Sequence, residues 1–309
     1  MIFYPQKLAG RYLKVDNDVE VRYTRTGNII RYSIQSHRNR YNCIKLLPDG
    51  QYMDTRTGEV KDRKFTAKTR YDNIKNVRKS MQDGRDLINA NVFDLSRTAW
   101  ITFTYAENMR DPKRLQKDFE HFNENYRKQI GNYEYITAVE PQRRGAFHLH
   151  SFFIFDHDIT QALDYRRIIH TWGKGRVEVQ YMYGDVDNLG AYLSAYLCNL
   201  DLNEKAQTLG YHDLNVVACE RTGKMYEKGQ RLGMYPKGMK IFRRSKGIIK
   251  PETEWIEIRE AEKRIKALAA TRTFEQYSEQ EIQSKTGTYT NIIYNQYFNI
   301  NPREKQQPD

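Results

Sequence analysis

The stretch Arg144–Phe155, RGAFHLHSFFIF, sets two histidines one residue apart inside an apolar, aromatic run. Its β-branched and aromatic content predicts a strand over 147–155. In a strand, residues i and i+2 share a face, so His148 and His150 project together about 7 Å apart along the backbone. Leu149 then faces the other way. Taken alone, such a pair is most simply part of a buried strand. It can also chelate one divalent ion if a further ligand joins it. The preceding segment YEYITAVE (133–140) reads as a second strand, joined to the first by the turn-like PQRRGA, and Glu140 at its end is the candidate third ligand. Register decides whether it reaches. Opposite His148 it shares the histidine face; opposite Phe147 it points away, because a one-residue slip flips every side chain. The first register, or a bulge equivalent to it, is the expected one.

Working outward, AWITFTY (99–105) is a strand by its β-branched and aromatic content. DPKRLQKDFEHFNENYRKQIG then opens with Asp111 as N-cap and Pro112 at the first helical position. It carries Leu115, Phe119, Phe122, Tyr126 and Ile130 on one stripe, and stops at Gly131. Thr160 can cap a helix that runs through Trp172 and is ended by GKG. RVEVQYMY (176–183) alternates like a strand, and DVDNLGAYLSAYLCNL runs as a helix from Asp187 or Asn188. The order β-α-β-β-α-β is the ferredoxin-like arrangement, an α+β fold with helices on one face of an antiparallel sheet.

The 309 residues carry 51 Lys and Arg against 39 Asp and Glu, a formal charge of +12, which favours an anionic partner, most often nucleic acid. Two segments concentrate the excess. Residues 31–79 hold thirteen basic and five acidic side chains, and RLGMYPKGMKIFRRSKGIIK (231–250) holds seven basic and no acidic ones. From Pro251 to about Gln283 the composition turns acidic and reads as helical, followed by the aromatic YTNIIYNQYFNI. Cys43, Cys198 and Cys219 form no CxxC pair, which argues against a cysteine zinc site or a disulfide framework and suits a reducing cytoplasm. No apolar run approaches the ~18–20 residues that span a bilayer, and MIFYPQKLAG lacks the pattern of an export signal. No membrane association is expected.

An RNA-binding domain shares the βαββαβ order, but its third strand needs stacking aromatics where this chain has Ala146, His148 and Ser151. The helix some forty residues on favours a different chemistry. Tyr192 and Tyr196 are four apart and so lie on one helical face. Leu189, Leu193, Tyr196 and Leu200 form the centre of the apolar stripe, with Tyr192 at its edge. An edge tyrosine can present its hydroxyl across a cleft; Tyr196 is more simply packed.

WITFTY, then GAFHLH with a glutamate eight residues before the first histidine, then YLSAY on a helix resemble the HUH endonucleases, and in particular the rolling-circle replication initiators of plasmids, phages and integrative elements. EPQRRGAFHLH, HTWGKGRVEVQ, LGAYLSAYL and IFRRSKGI carry the likeness over about residues 85–250. The resemblance implies an HUH nuclease domain there, between a basic N-terminal extension (1–84) and a helical and aromatic C-terminal one (251–309). It implies a divalent ion, Mg²⁺ or Mn²⁺, held by His148, His150 and Glu140, with Tyr192 as nucleophile and Tyr196 as a possible second. Single-stranded origin DNA would be held by Arg143, Arg144, Lys237, Lys240, Arg243, Arg244 and Lys246. The chain would nick and rejoin that DNA through a 5′-phosphotyrosine in the bacterial host cytoplasm, with host helicase and DNA polymerase as partners, since no GxxxxGK[ST] loop is present. A relaxase or transposase of the same superfamily, or a non-catalytic nucleic-acid-binding protein, are the alternatives. One departure stands out: the lysine usual three residues after the catalytic tyrosine is Ala195, and a second, three beyond the next tyrosine, is Asn199. Arg143, Arg144 or Lys205 could supply the missing cation.

Overall fold

The computed structural model describes residues 2–3, 14–15, 19–35, 43–63, 74–142, 144–159, 163–181, 189–190, 193, 197, 200–201, 216–218, 225–227, 230–284 and 287–300. In chain order its principal elements are β1 (Glu20–Thr26), β2 (Ile29–Gln35), α1 (Ile74–Asn91), β3 (Thr98–Phe103), α2 (Pro112–Ile130), β4 (Glu134–Pro141), β5 (Phe147–Ile154), α3 (Tyr165–Trp172), β6 (Val177–Tyr181), β7 (Phe242–Arg244), β8 (Glu252–Glu257), α4 (Ile258–Ala267), β9 (Thr271–Ser284) and β10 (Gly287–Asn299). The fold is mixed α+β with a central antiparallel sheet, as the sequence predicts. It forms two compact units. One comprises Ala67–Pro251 with Thr26–Asn28, the other Met1–Arg25, Ile29–Thr66 and Glu252–Asp309.

In the first unit the sheet order is β6-β3-β5-β4-β7, with every pair antiparallel. Counting only β3, β4, β5 and β6, the spatial order is fourth, first, third, second, with α2 following the first strand and α3 the third. The helix α2 forms where the apolar stripe requires it. The Asp111 carboxylate accepts from the backbone N–H of Lys113 at 2.8 Å and of Arg114 at 3.3 Å, and Gly131 ends the helix at φ +90°. Its buried Leu115, Phe119, Phe122 and Tyr126 meet Phe103, Leu149 and Phe153 from one face of the sheet. Phe103 sits at the centre of an aromatic cluster, with ring centroids 4.8 Å from Phe122 and 5.2 Å from Trp172 of α3. The core therefore lies on the face opposite His148 and His150.

The structure alters three expected elements. The helix expected from Thr160 begins at Tyr165, because Asp164 caps it by accepting from Arg167 N at 3.1 Å; Thr160 itself lies outside the described residues. Helix α1 falls in the segment read as a basic extension. Its apolar spacing (Val77, Met81, Ile88) is sparse and Gly84 interrupts it, yet that glycine is what lets the helix dock. A Cβ there would lie 2.5 Å from the ring of Phe242 in β7. Because Phe242 pairs with Ala138, in line with His150, α1 packs on the histidine face of the sheet.

The third alteration is in the other unit. The helix expected over 251–283 is corrected to Ile258–Ala267, flanked by strands. Acidic residues suggest a helix over 271–284, but its threonines and aromatics suit a strand once a β-branched, aromatic partner is present. That partner is β10, paired along β9 from Thr271↔Asn299 to Ser284↔Gly287. The order β8-β1-β2-β10-β9 joins the first and last parts of the chain in one sheet. Helix α4 buries Ile258, Ala261 and Ile265 in a core with Val21, Tyr23, Ile30, Tyr32 and Ile34.

Candidate metal centre

The register of β4 against β5 places Glu140 directly opposite His148, and Ala138 opposite His150. On the other side of β5, Thr102 of β3 pairs with His150. Glu140, His148, His150 and Thr102 thus share one face by pleat alone. Glu140 Oε2 lies 2.5 Å from His150 Nε2 and 4.0 Å from His148 Nδ1. The three ligand atoms all fall within 4.8 Å of one another. Glu140 is 3% exposed and His150 5%, while His148 is at the mouth, partly open to solvent.

Three neighbours fix this geometry. Thr102 Oγ1 lies 3.2 Å from His150 Nδ1, and the edge of Trp100 approaches the same imidazole with centroids 6.1 Å apart. Arg231, also buried, donates from Nη1 to Glu140 Oε1 and, at 2.9 Å, to the Pro141 carbonyl. One carboxylate oxygen is therefore held by the arginine, and the other faces the histidines. A ring nitrogen that ligates an ion needs its other nitrogen held by a partner, which sets the tautomer, and Thr102 does this for His150.

Burial pushes the His148 imidazole down to about 4 against the opposing pull of Glu140, with His150, Arg144 and Arg231 adding to the drop. The ring is neutral at pH 7, as a ligand must be. In the unfolded chain the same ring titrates near 6.5. Between those values the unfolded state binds more protons, so stability is full above about pH 6.5 and falls as pH drops toward 4. A His148→Asn variant should lose about 2–3 kcal/mol of that pH dependence. Urea unfolding of both proteins across the window measures it. Parallel curves would mean the ring is not held neutral.

The donor set fits a metal ion. Two imidazole nitrogens and a carboxylate oxygen suit a divalent first-row ion, and ligand distances of ~2.0–2.3 Å are reached from this arrangement with a small inward rotation of His148. The bridging proton implied by the 2.5 Å contact between Glu140 and His150 is what an ion would replace.

The other sequence-derived candidates distribute unevenly. Leu189, Leu193 and Leu197 are helical and buried, as the stripe predicts, and the Tyr235 hydroxyl ties them to β4, 3.3 Å from Leu197 O and 2.8 Å from Val139 O. Tyr192, Tyr196, Ala195, Asn199, Lys205 and Arg143 lie outside the described residues. Arg144 is exposed, its Nη2 3.3 Å from Tyr105 O and its charge close enough to act on His148. Lys237, Lys240 and Lys246 are exposed. Arg243 and Arg244 are half-buried in β7, and Arg244 Nη1 donates to Ile248 O at 2.9 Å. Sequence reasoning missed Thr102, Arg231 and Tyr235. Thr102 is legible from the alternation of AWITFTY; nothing local marks Arg231 as buried among its basic neighbours.

Comparison with known proteins gives one finding. Residues 98–201 match the family model of the replication-associated protein ORF2, consistent with a rolling-circle replication initiator. No curated protein and no solved structure is significantly similar to the chain. Among the described residues no helix is long and apolar enough to cross a membrane.

Proposed function

We propose that this chain, which shares residues 98–201 with replication-associated proteins, is a rolling-circle replication initiator that nicks and rejoins single-stranded DNA at an origin. The observation that carries the reading is the Glu140, His148 and His150 cluster on the open face of the sheet, inside the matched segment. The strand order supports a ferredoxin-like HUH domain, since the four strands around the two helices follow the order that arrangement requires.

Glu140, His148 and His150 would hold Mg²⁺ or Mn²⁺, of which manganese tolerates imidazole better. Such an ion polarises a phosphodiester and offsets charge building on its oxygens. Tyr192 is the nucleophile in this reading. Its hydroxyl oxygen attacks phosphorus, the bond to the 3′ oxygen breaks, and the departing oxygen takes up a proton to become a 3′-OH. The 5′-phosphotyrosine left behind stores the bond energy for rejoining. Tyr196 serves a second round or packs in the stripe. Arg144, Lys237, Lys240 and Lys246 would contact phosphates, with Arg143 beside them and Arg243 and Arg244 shaping the edge strand. The free 3′-OH would be extended by host polymerase behind a host helicase, in the bacterial cytoplasm.

The test is an adduct assay: purified protein, single-stranded origin oligonucleotide and Mn²⁺, resolved on a denaturing gel. Tyr192→Phe should lose the covalent band, and Tyr196→Phe should keep it. An adduct that persists in Tyr192→Phe would overturn the nucleophile. No adduct from the unaltered protein would leave a nucleic-acid-binding role alone.

A further inference from the structure

Arg231 does more than brace a ligand. It pairs with Glu140 where both are almost closed to solvent, the arginine at 6% exposure and the glutamate at 3%. Burying a guanidinium beside a carboxylate is costly even when paired. A centre that needed only to grip a cation would hold it more tightly without the arginine. The formal charges of Glu140 and Arg231 cancel, and imidazoles ligate as neutral groups. A divalent ion entering this centre therefore keeps its own positive charge, with Arg144 close enough to add to the local field.

We propose that Arg231 is a positioning and charge-balancing residue that makes the centre bind its divalent ion and a DNA phosphodiester together. It holds Glu140 with Oε2 toward the histidines, and it cancels the carboxylate so that an anionic ligand must complete the charge. The inference rests on the nicking reading above and adds to it that the ion and the strand depend on each other. Coupling of this kind is reciprocal, typically 5–150-fold.

The test is Mn²⁺ binding to the whole chain, by calorimetry and by electron paramagnetic resonance of the free ion, with and without a mixed-sequence single-stranded oligonucleotide. The unaltered protein should bind Mn²⁺ at least about tenfold more tightly with the oligonucleotide. Arg231→Gln keeps N–H donors toward Glu140 but drops the charge. It should bind Mn²⁺ alone more tightly and lose most of the coupling, and Arg231→Lys should restore the coupling. Equal affinity with and without the oligonucleotide in the unaltered protein would overturn the inference while leaving the metal centre standing. Coupling unchanged in Arg231→Gln would do the same. Loss of folding in both variants, read by circular dichroism, would make Arg231 a structural residue and also overturn it. Failure of the unaltered protein to bind Mn²⁺ in either condition would instead sink the metal reading beneath it.

Discussion

Replacing His148 and His150 together by alanine is expected to abolish Mn²⁺ binding and to lower phosphotyrosine formation at least about a thousandfold. An ion acting as Lewis acid supplies several kcal/mol of transition-state stabilisation, and each ~1.4 kcal/mol is a decade in rate. The loss should not be a folding defect. Glu140 keeps its bond to Arg231 when the imidazoles are removed, so no buried carboxylate is orphaned. The core lies on the opposite face of β5, where Leu149, Ser151 and Phe153 are untouched. The stability change should stay within the ~1–3 kcal/mol of lost hydrogen bonds to Thr102 and Glu140. Denaturing-gel adduct yield, Mn²⁺ titration and thermal unfolding measure the three quantities. Adduct yield within tenfold of the unaltered protein would sink the metal model, whatever the binding data show.

The residues that define this centre were legible to different degrees, for physical reasons. His148 and His150 were visible because a period of two places them on one face wherever a strand forms. Glu140 needed the pairing register, which the sequence poses as two alternatives; the observed pairing with His148 is the one that brings the carboxylate to the histidines. Helix α2 was written into the chain almost completely, since cap, stripe and stop are all local. Arg231 was not. Its contact with Glu140 spans 91 residues, and only tertiary packing separates a buried arginine from six other cations in the same segment. The strand β9 was hidden for a similar reason. Alternation in TRTFEQYSEQEIQS is weak, and what makes it a strand is the partner β10, itself held by β2 from the far end of the chain.

Phe153→Ala is expected to cost about 3–5 kcal/mol, a large part of what holds a typical domain together. Phe153 is fully buried on the strand that carries both histidines. Its ring stacks on Tyr133 at 4.6 Å and lies 6.0 Å from Phe103 and 6.2 Å from Phe122. Removing it opens a cavity that no single neighbour can fill, because those rings are held by α2, β3 and the residues before β4. Phe153→Leu should cost much less, about 1–1.5 kcal/mol, since most of the volume remains. The consequence for the site follows from pleat geometry. Phe153 and His150 stand on opposite faces of one strand, so collapse beneath β5 would shift the backbone that sets the separation of His150 from Glu140. Urea unfolding measures the first effect, and Mn²⁺ affinity under conditions where the variant remains folded measures the second. A Phe153→Ala protein as stable as the original would mean that the aromatic cluster does not support this sheet, and that the centre is held in place from its own face by α1 and Arg231 instead.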